Sequence, residues 1–589
     1  MAKSNSVGLR TNELLPGVVV RSPWSDLPSS FRFLAGLGVR ETIEAVLVAI
    51  VLALLFRTFQ AENFIIPTGS MAPGLMGQHM DVTCAKCGYA YQAGASGESS
   101  LTAPSNRNMV THTTCPICNY RMAMDRKRNP DHTSNQGDRI VVDKFLYDFI
   151  EPDRFEVIVF KNPNNGKQNY IKRLVGVPGD QLTIEHGDIF QMSRDGDQWV
   201  KTIVRKPADK VRVMMQLVDD THHIPKLLHE AGWPLRWQAW QAGSSSPWET
   251  VVSQHQPIYR IQANAGAPVW LRYRHHAPTD EAWSFMESTG TAPDWILKSP
   301  GRLIGDFYAY NHSETRPVSG LPLGMNGIHW VGDLGLQAQI DIVSNGGTLW
   351  LDTVEGGAHF TCEIDCQSGK ATLTCSDPNV KFVDGEGAEV ARPSGETPLR
   401  QPGSFDVLFA NVDDQLFLWV NGKQVIFNAS AYQRPRPIYP RWSNADPGDA
   451  EPLGIAVQDI QMTIHRLKVW RDIYYTSARG NKSAANEFEP LTVEVLQMMY
   501  NPQTWNTPEA RRILDRRNRD GGPMFILESG QYLPLGDNSP QSMDSRIWYG
   551  PNYVDREMLI GRALYVFWPH PLNRPIPFFP NFGKMRRIR

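Results

Sequence analysis

Three short stretches carry residue types suited to acyl-transfer chemistry. Residues 64–73 read Phe-Ile-Ile-Pro-Thr-Gly-Ser-Met-Ala-Pro and put Ser70 on a glycine-hinged turn. Residues 170–180 place Lys172 among the apolar neighbours Ile171, Leu174 and Val175. Residues 536–546, Gly-Asp-Asn-Ser-Pro-Gln-Ser-Met-Asp-Ser-Arg, supply short polar side chains able to hold the other two. Peptide hydrolysis needs a nucleophile, a base that is neutral at working pH, and donors for the oxyanion. A lysine is protonated in water at pH 7, so it serves as a base only where burial lowers its pKa by several units. The apolar flanks of Lys172 are compatible with that.

A fourth set has metal-ligand spacing. Cys84-Ala-Lys-Cys87 and Cys115-Pro-Ile-Cys118 form a paired CxxC, with Gly88 and Asn119 directly behind the two knuckles. Four thiolates at this spacing suit a tetrahedral zinc with no open position, which is a structural rather than a catalytic site. Two disulfides are the alternative if the region lies outside the cytoplasm. Residues 93–108, of low complexity, would form the loop between the knuckles.

Taken together, the first three motifs resemble the bacterial type I signal peptidase family of Ser-Lys membrane proteases. The resemblance implies Ser70 as nucleophile and Lys172 as general base. It implies an oxyanion hole made of the Thr68 hydroxyl and the Ser70 amide, with Ser542 orienting the lysine amine. Asp544, beside Arg546, would brace the last motif. One departure exists: the commoner pattern continues with Arg after Gly-Asp-Asn, whereas Ser539-Pro540-Gln541 follows here. That departure bears on loop conformation, since every group assigned to chemistry is present. The resemblance further implies no cofactor for catalysis and exported preproteins with small-x-small cleavage sites as substrates. The cysteine pairs lie outside the minimal pattern.

Residues 45–56 are uncharged and apolar, and twelve residues span about 18 Å as a helix. Extended to residues 43–59 the segment takes in Glu44 and Arg57 near its ends, roughly the shortest length able to cross a bilayer. Thr58-Phe59-Gln60-Ala61 offers no small-x-small site, so an uncleaved anchor is expected. Lys3, Arg10, Arg21, Arg32 and Arg40 precede it and place the N-terminus in the cytoplasm, with the catalytic domain outside. The expectation is a single-pass protein of the plasma membrane, with the lipid bilayer as a partner. A formal net charge of -2 over 589 residues gives no footprint for nucleic acid. Gly 47 and Pro 43 favour a loop-rich β protein.

The expected fold is mainly β: an N-terminal transmembrane helix, a signal-peptidase-type β core, and a large inserted β-sandwich of jelly-roll-like form. Its parts are a cytoplasmic segment (1–42), the anchor (43–60), the serine segment (61–83) and a zinc-ribbon-like insertion (84–120). The lysine-bearing core (137–190) and a mixed insertion (191–328) follow, then the sandwich (329–476). A helical return segment (485–520), the last core motif (521–570) and a Pro-rich basic tail (571–589) complete the chain. His222-His223 read as surface residues. In the sandwich, alternation with a two-residue Ser368-Gly369 turn places Cys362 opposite Cys375, Ile364 opposite Leu373 and Cys366 opposite Ala371. Residues 409–422 resemble laminin-G/concanavalin-like jelly rolls, many of which bind glycans or proteins. A glycan or protein ligand for the sandwich therefore stands beside a plain spacer role, and Asp413 and Asp414 beside a calcium or a turn role. The rival to a peptidase is a membrane-tethered glycan- or protein-binding module built on an inactive protease scaffold.

Overall fold

The computed structural model describes residues 42–51, 61–99, 109–239, 247–253, 255–262, 266–297, 299–314, 327–478, 498, 500–516, 523–570 and 579–589. Residues 1–61 and 62–589 form separate units. Residues 42–51 are helical and exposed, and among the described residues no helix is long and apolar enough to cross a membrane. The remainder of the expected anchor, residues 52–60, lies outside the described residues, as does most of the expected cytoplasmic segment.

The core is built from short strands. They run β1 (Ala61–Ile65), β2 (His79–Thr83), β3 (Ala90–Gly94), β4 (His112–Thr114), β5 (Arg121–Ala123), β6 (Arg139–Asp143), β7 (Val157–Asn162), β8 (Asn165–Gly176), β9 (Gln181–Glu185), β10 (Asp188–Asp195) and β11 (Gln198–Ile203). After the insertion come β12 (Phe525–Ile526), β13 (Gln531–Leu535), β14 (Val554–Asp555), β15 (Leu559–Trp568) and β16 (Arg586–Arg587). The main sheet has the order β1-β6-β15-β7-β8-β13-β14, with β16 on β15, and a second sheet runs β11-β10-β9-β12. In β6 only Ile140 and Val142 turn inward. β8 begins exposed and from Ile171 onward is buried on both faces. It is the strand on which the site is built.

The insertion leaves after β11. Among the described residues, two antiparallel sheets of eight and seven strands pack face to face over one core containing Trp237, Tyr259, Tyr273, Leu336, Phe360, Phe409, Leu418 and Ile455. The expected boundary at residue 329 is too late. Gln216–Asp220 and Gln256–Ile261 pair with Met462–Arg471, and Val269–Tyr273 pairs with Leu453–Gln458. The sandwich therefore draws strands from the segment expected to be a separate mixed insertion.

One register also needs correction. The observed partners are Phe360 with Cys375, Cys362 with Leu373 and Ile364 with Ala371. Cys366 leaves the strand for a longer turn, in which the Asp365 carbonyl accepts from Gly369 at 2.7 Å and the Asp365 carboxylate from Gln367 at 2.8 Å. A two-residue slip keeps every apolar residue on the same face, so alternation cannot tell the two registers apart. Cys362, Cys366 and Cys375 are free thiols. In the return segment Thr507 accepts from the Ala510 amide at 3.2 Å and caps the helix Pro508–Arg516, as its sequence indicates.

Candidate active site

Lys172 enters the site because β8 changes partner there. On one side it pairs with Ile158 of β7. On the other, β13 ends at Leu535, opposite Arg173, and the chain turns away into residues 536–546. That turn fills the space beside Lys172. Gly536 permits it, since a side chain there would collide with the Ser542 hydroxyl and the Ser70 carbonyl.

Ser70 sits in a single 3₁₀ turn, Gly69–Met71, that follows β1. It is 7% exposed, and Lys172 is 4% exposed. The Lys172 Nζ lies 2.7 Å from Ser70 Oγ and donates to the Ile171 carbonyl at 2.9 Å. Burial is the main influence on the amine and lowers its pKa to about 8, against the carboxylates of Asp544 and Asp537, which pull it upward. A buried amine with a lowered pKa, fixed by one carbonyl and touching a serine hydroxyl, can accept the proton of that hydroxyl.

Two ion pairs hold this arrangement. Arg173, next to the lysine, grips Asp537 through two hydrogen bonds of 2.7 and 2.6 Å, both groups buried. Asp544 accepts from Arg546 at 2.8 and 2.7 Å and from the Gly536 amide at 3.0 Å. Burial works against its ionised form, but Arg546, Ser542 and the Gly536 amide together outweigh burial and keep the carboxyl below its ordinary range. Arg546 spans outward to Ser539 and Thr476, donating to both. The structure thus gathers Ser70, Lys172, Ser542 and Asp544 at one place. Thr68 stands at the edge with its side chain exposed and making no cap bond.

The expected contact of Ser542 with the lysine amine is not made. Its hydroxyl is buried and turned toward Asp544, whose ionised form it favours, and the Ile171 carbonyl fixes the amine instead. Arg173, Asp537 and Asn538 join the site without having been expected there. A signal was present: each lies inside one of the three motifs, Arg173 directly beside Lys172, and Asp537 and Asn538 in the Gly-Asp-Asn turn that opens the last motif.

The four cysteines form a compact group. Cys84 and Cys118 sulfurs are 3.6 Å apart, as are those of Cys87 and Cys115, and all four lie within 4.8 Å of one another. A metal about 2.3 Å from each sulfur in a tetrahedron sets the sulfurs about 3.8 Å apart, whereas a disulfide needs about 2 Å. The donor set fits a four-thiolate metal. Both knuckles close alike: Gly88 donates to the Cys84 carbonyl at 2.9 Å and Asn119 to the Cys115 carbonyl at 3.0 Å. Gly88 and Asn119 both take positive φ.

Comparison with known proteins gives a family-level similarity to signal peptidase I. The family model described as signal peptidase, peptidase S26, matches residues 120–226 and 453–568. The matched residues include Lys172, Ser542 and Asp544 but not Ser70. A probable signal peptidase I-1 of Synechocystis sp. is 25% identical over 190 residues, which is 31% of this chain and 63% of that protein. Signal peptidase I of Buchnera aphidicola is 45% identical over 58 residues, covering 8% of this chain and 19% of the relative. The chain therefore spans less than two thirds of the length of these relatives. Among solved structures, the carbohydrate binding module CBM66 from Bacillus subtilis has a TM-score of 0.19 at 8% identity, covering 39% of this chain and 92% of its own. The Caenorhabditis elegans galectin LEC-6 has a TM-score of 0.16 at 10% identity, covering 24% and 83%. At such scores these likenesses carry no argument.

Proposed function

We propose that this protein is a membrane-anchored serine endopeptidase that removes signal peptides from exported preproteins at small-x-small sites. The observation that carries the reading is the buried Lys172 amine 2.7 Å from Ser70 Oγ. On this reading neutral Lys172 takes the Ser70 proton as Oγ attacks the scissile carbonyl carbon. The Ser70 amide and the Thr68 hydroxyl receive the oxyanion. The lysine ammonium then returns its proton to the leaving amine, and water repeats the sequence on the acyl-enzyme. Ser542 fills the space behind the dyad, and Asp544 with Arg546 keeps its loop in register. The apolar stretch at residues 43–60 would anchor the protein in the plasma membrane with the site outside, and a zinc held by the four cysteines would staple the ribbon.

The test is cleavage of a small-x-small peptide by the detergent-solubilised full chain, with Ser70→Ala and Lys172→Ala as comparisons. Loss of cleavage in both variants supports the reading, and cleavage retained by Ser70→Ala refutes it. One observation favours a second reading, in which the protein binds a glycan or a protein. A cavity of about 610 Å³ between β9–β11 and the sandwich is lined by Asp188, Phe190, Trp330, Asp333, Arg434 and Arg436, among others. A wild-type protein that cleaves no such peptide between pH 6 and about 10 would leave that reading in place.

A further inference from the structure

We infer that Asn311, on the inserted segment Ala309–Asn311, is a positioning residue for the oxyanion-binding amide of Ser70. The inference rests on the peptidase reading above. It begins with Asn538, whose backbone amide donates to the Ser70 carbonyl at 3.0 Å and whose side-chain Nδ2 donates to the Gly69 carbonyl at 3.0 Å. A trans peptide is a rigid plane in which C=O and N–H point in opposite directions. Whatever grips the Gly69 carbonyl therefore also aims the Ser70 N–H. Within the turn the Ala72 amide donates to that carbonyl at 3.0 Å; from outside the turn Asn538 grips it, and Asn311 holds Asn538.

The two asparagines form a reciprocal pair. Asn311 Nδ2 donates to Asn538 Oδ1 at 2.7 Å, and Asn538 Nδ2 donates to Asn311 Oδ1 at 2.8 Å. Each primary amide has two donors and one acceptor oxygen. The pair uses one donor and the oxygen of Asn538, leaving its second donor for Gly69. Asn538 is buried, so without Asn311 its oxygen is unsatisfied and its rotamer unfixed.

The neighbouring Tyr310 locks the same turn by shape. A side chain at Gly69 or at Gly94 would strike the Tyr310 ring, and the Tyr310 hydroxyl donates to the Gln78 carbonyl at 3.1 Å. The segment is tied down three residues on, at Glu314. There the Glu314 carbonyl accepts from the Thr111 amide at 2.6 Å, and its amide donates to the His112 carbonyl at 2.9 Å. The Glu314 carboxylate takes two hydrogen bonds from Arg121 at 3.0 and 2.7 Å. Thr111 and His112 lead into Cys115, so the cysteine ribbon anchors the segment that holds the nucleophile turn.

The experiment uses the full chain in detergent and a small-x-small peptide. Asn311→Ala should lower kcat by about tenfold or more, the loss expected when an oxyanion donor is misaimed. KM should stay within about twofold and the apparent pKa of the pH–rate profile should not move, because neither the substrate cleft nor Lys172 is touched. A merely structural loosening would shift KM and that pKa as well. Asn311→Asp, of equal size, removes the donor to Asn538 and should behave the same; it serves where the alanine variant does not fold. If Ser70→Ala retains cleavage, the peptidase reading itself fails. If Ser70→Ala abolishes cleavage while folded Asn311 variants keep wild-type kcat, or change only KM and the pKa, Asn311 is not a positioning residue.

Discussion

Proton concentration is the perturbation that addresses Lys172 without altering the chain. Burial sets its amine at about 8. With that value about a tenth of the lysine is neutral at pH 7 and about nine-tenths at pH 9. The kcat/KM for a small-x-small peptide should therefore rise about tenfold over this interval and level off above it. A lysine at its solution value would give a different curve: its neutral fraction climbs about a hundredfold between pH 7 and pH 9 and keeps climbing. The shape separates the two cases more sharply than the size. An internally quenched peptide followed from pH 6 to about 10.5, with Ser70→Ala as blank, is sufficient. A logarithmic rate still rising with unit slope at about pH 10 would refute the burial argument. A profile flat from pH 6 upward would remove Lys172 as the base.

The same burial should show in stability. Below about 8 both states carry the proton, so the cost of burying the ammonium is fully present; it is relieved as pH rises from about 8 toward the model value of 10.5. Relative to Lys172→Met, wild type should gain roughly 3 kcal/mol across that window, read as the difference between their thermal melts at each pH. Asp544→Asn should move the midpoint of the pH–rate profile below 8, since Asp544 is the strongest group raising the lysine. It should also cost roughly 3–5 kcal/mol in a melt, because Arg546 loses its buried partner. Purified protein should carry about one zinc per chain, and Cys115→Ser should release it, both measured by elemental analysis.

Much of the site was legible because its motifs are local. Ile171, Leu174 and Val175 marked Lys172 for burial, and the chain does bury it. The hairpin at Asn421-Gly422 also follows its turn chemistry: both residues take positive φ, and Val420 pairs with Lys423 across them. The hairpin at residues 360–375 failed for a reason intrinsic to strands. Its two candidate registers differ by two residues and bury the same faces, so the choice was made by the Asp365 side chain capping the turn. The early sandwich strands were hidden differently. Glu249–Ser253 is exposed or half-buried along its length, so it shows no apolar stripe, and its place is set by pairing with Gln256–Ile261. Asn311 gave no signal, because its partner Asn538 is 227 residues away.

These contacts change what the insertion is to the core. Its neck lies where Gln216 pairs with Arg471, near the isolated bridge between Gly187 and Tyr475. A cut at residues 332–474 would pass through both sheets and strip partners from Gln256–Ile261 and Val269–Tyr273. At the neck, Lys206 sits buried between Asp413 and Asp472, at 2.6 and 2.9 Å. Breaking such a pair from one side leaves an uncompensated charge in the interior. Just beyond it Thr476 receives Arg546, the partner of Asp544. Even an excision at the neck would remove Tyr310, whose ring lies against Gly69, and Asn311, which holds Asn538. The insertion reaches the Ser70 turn by three routes, through Arg546, through Asn538 and by the Tyr310 ring against Gly69, so the geometry around Ser70 and Lys172 is set partly from outside the core that carries them.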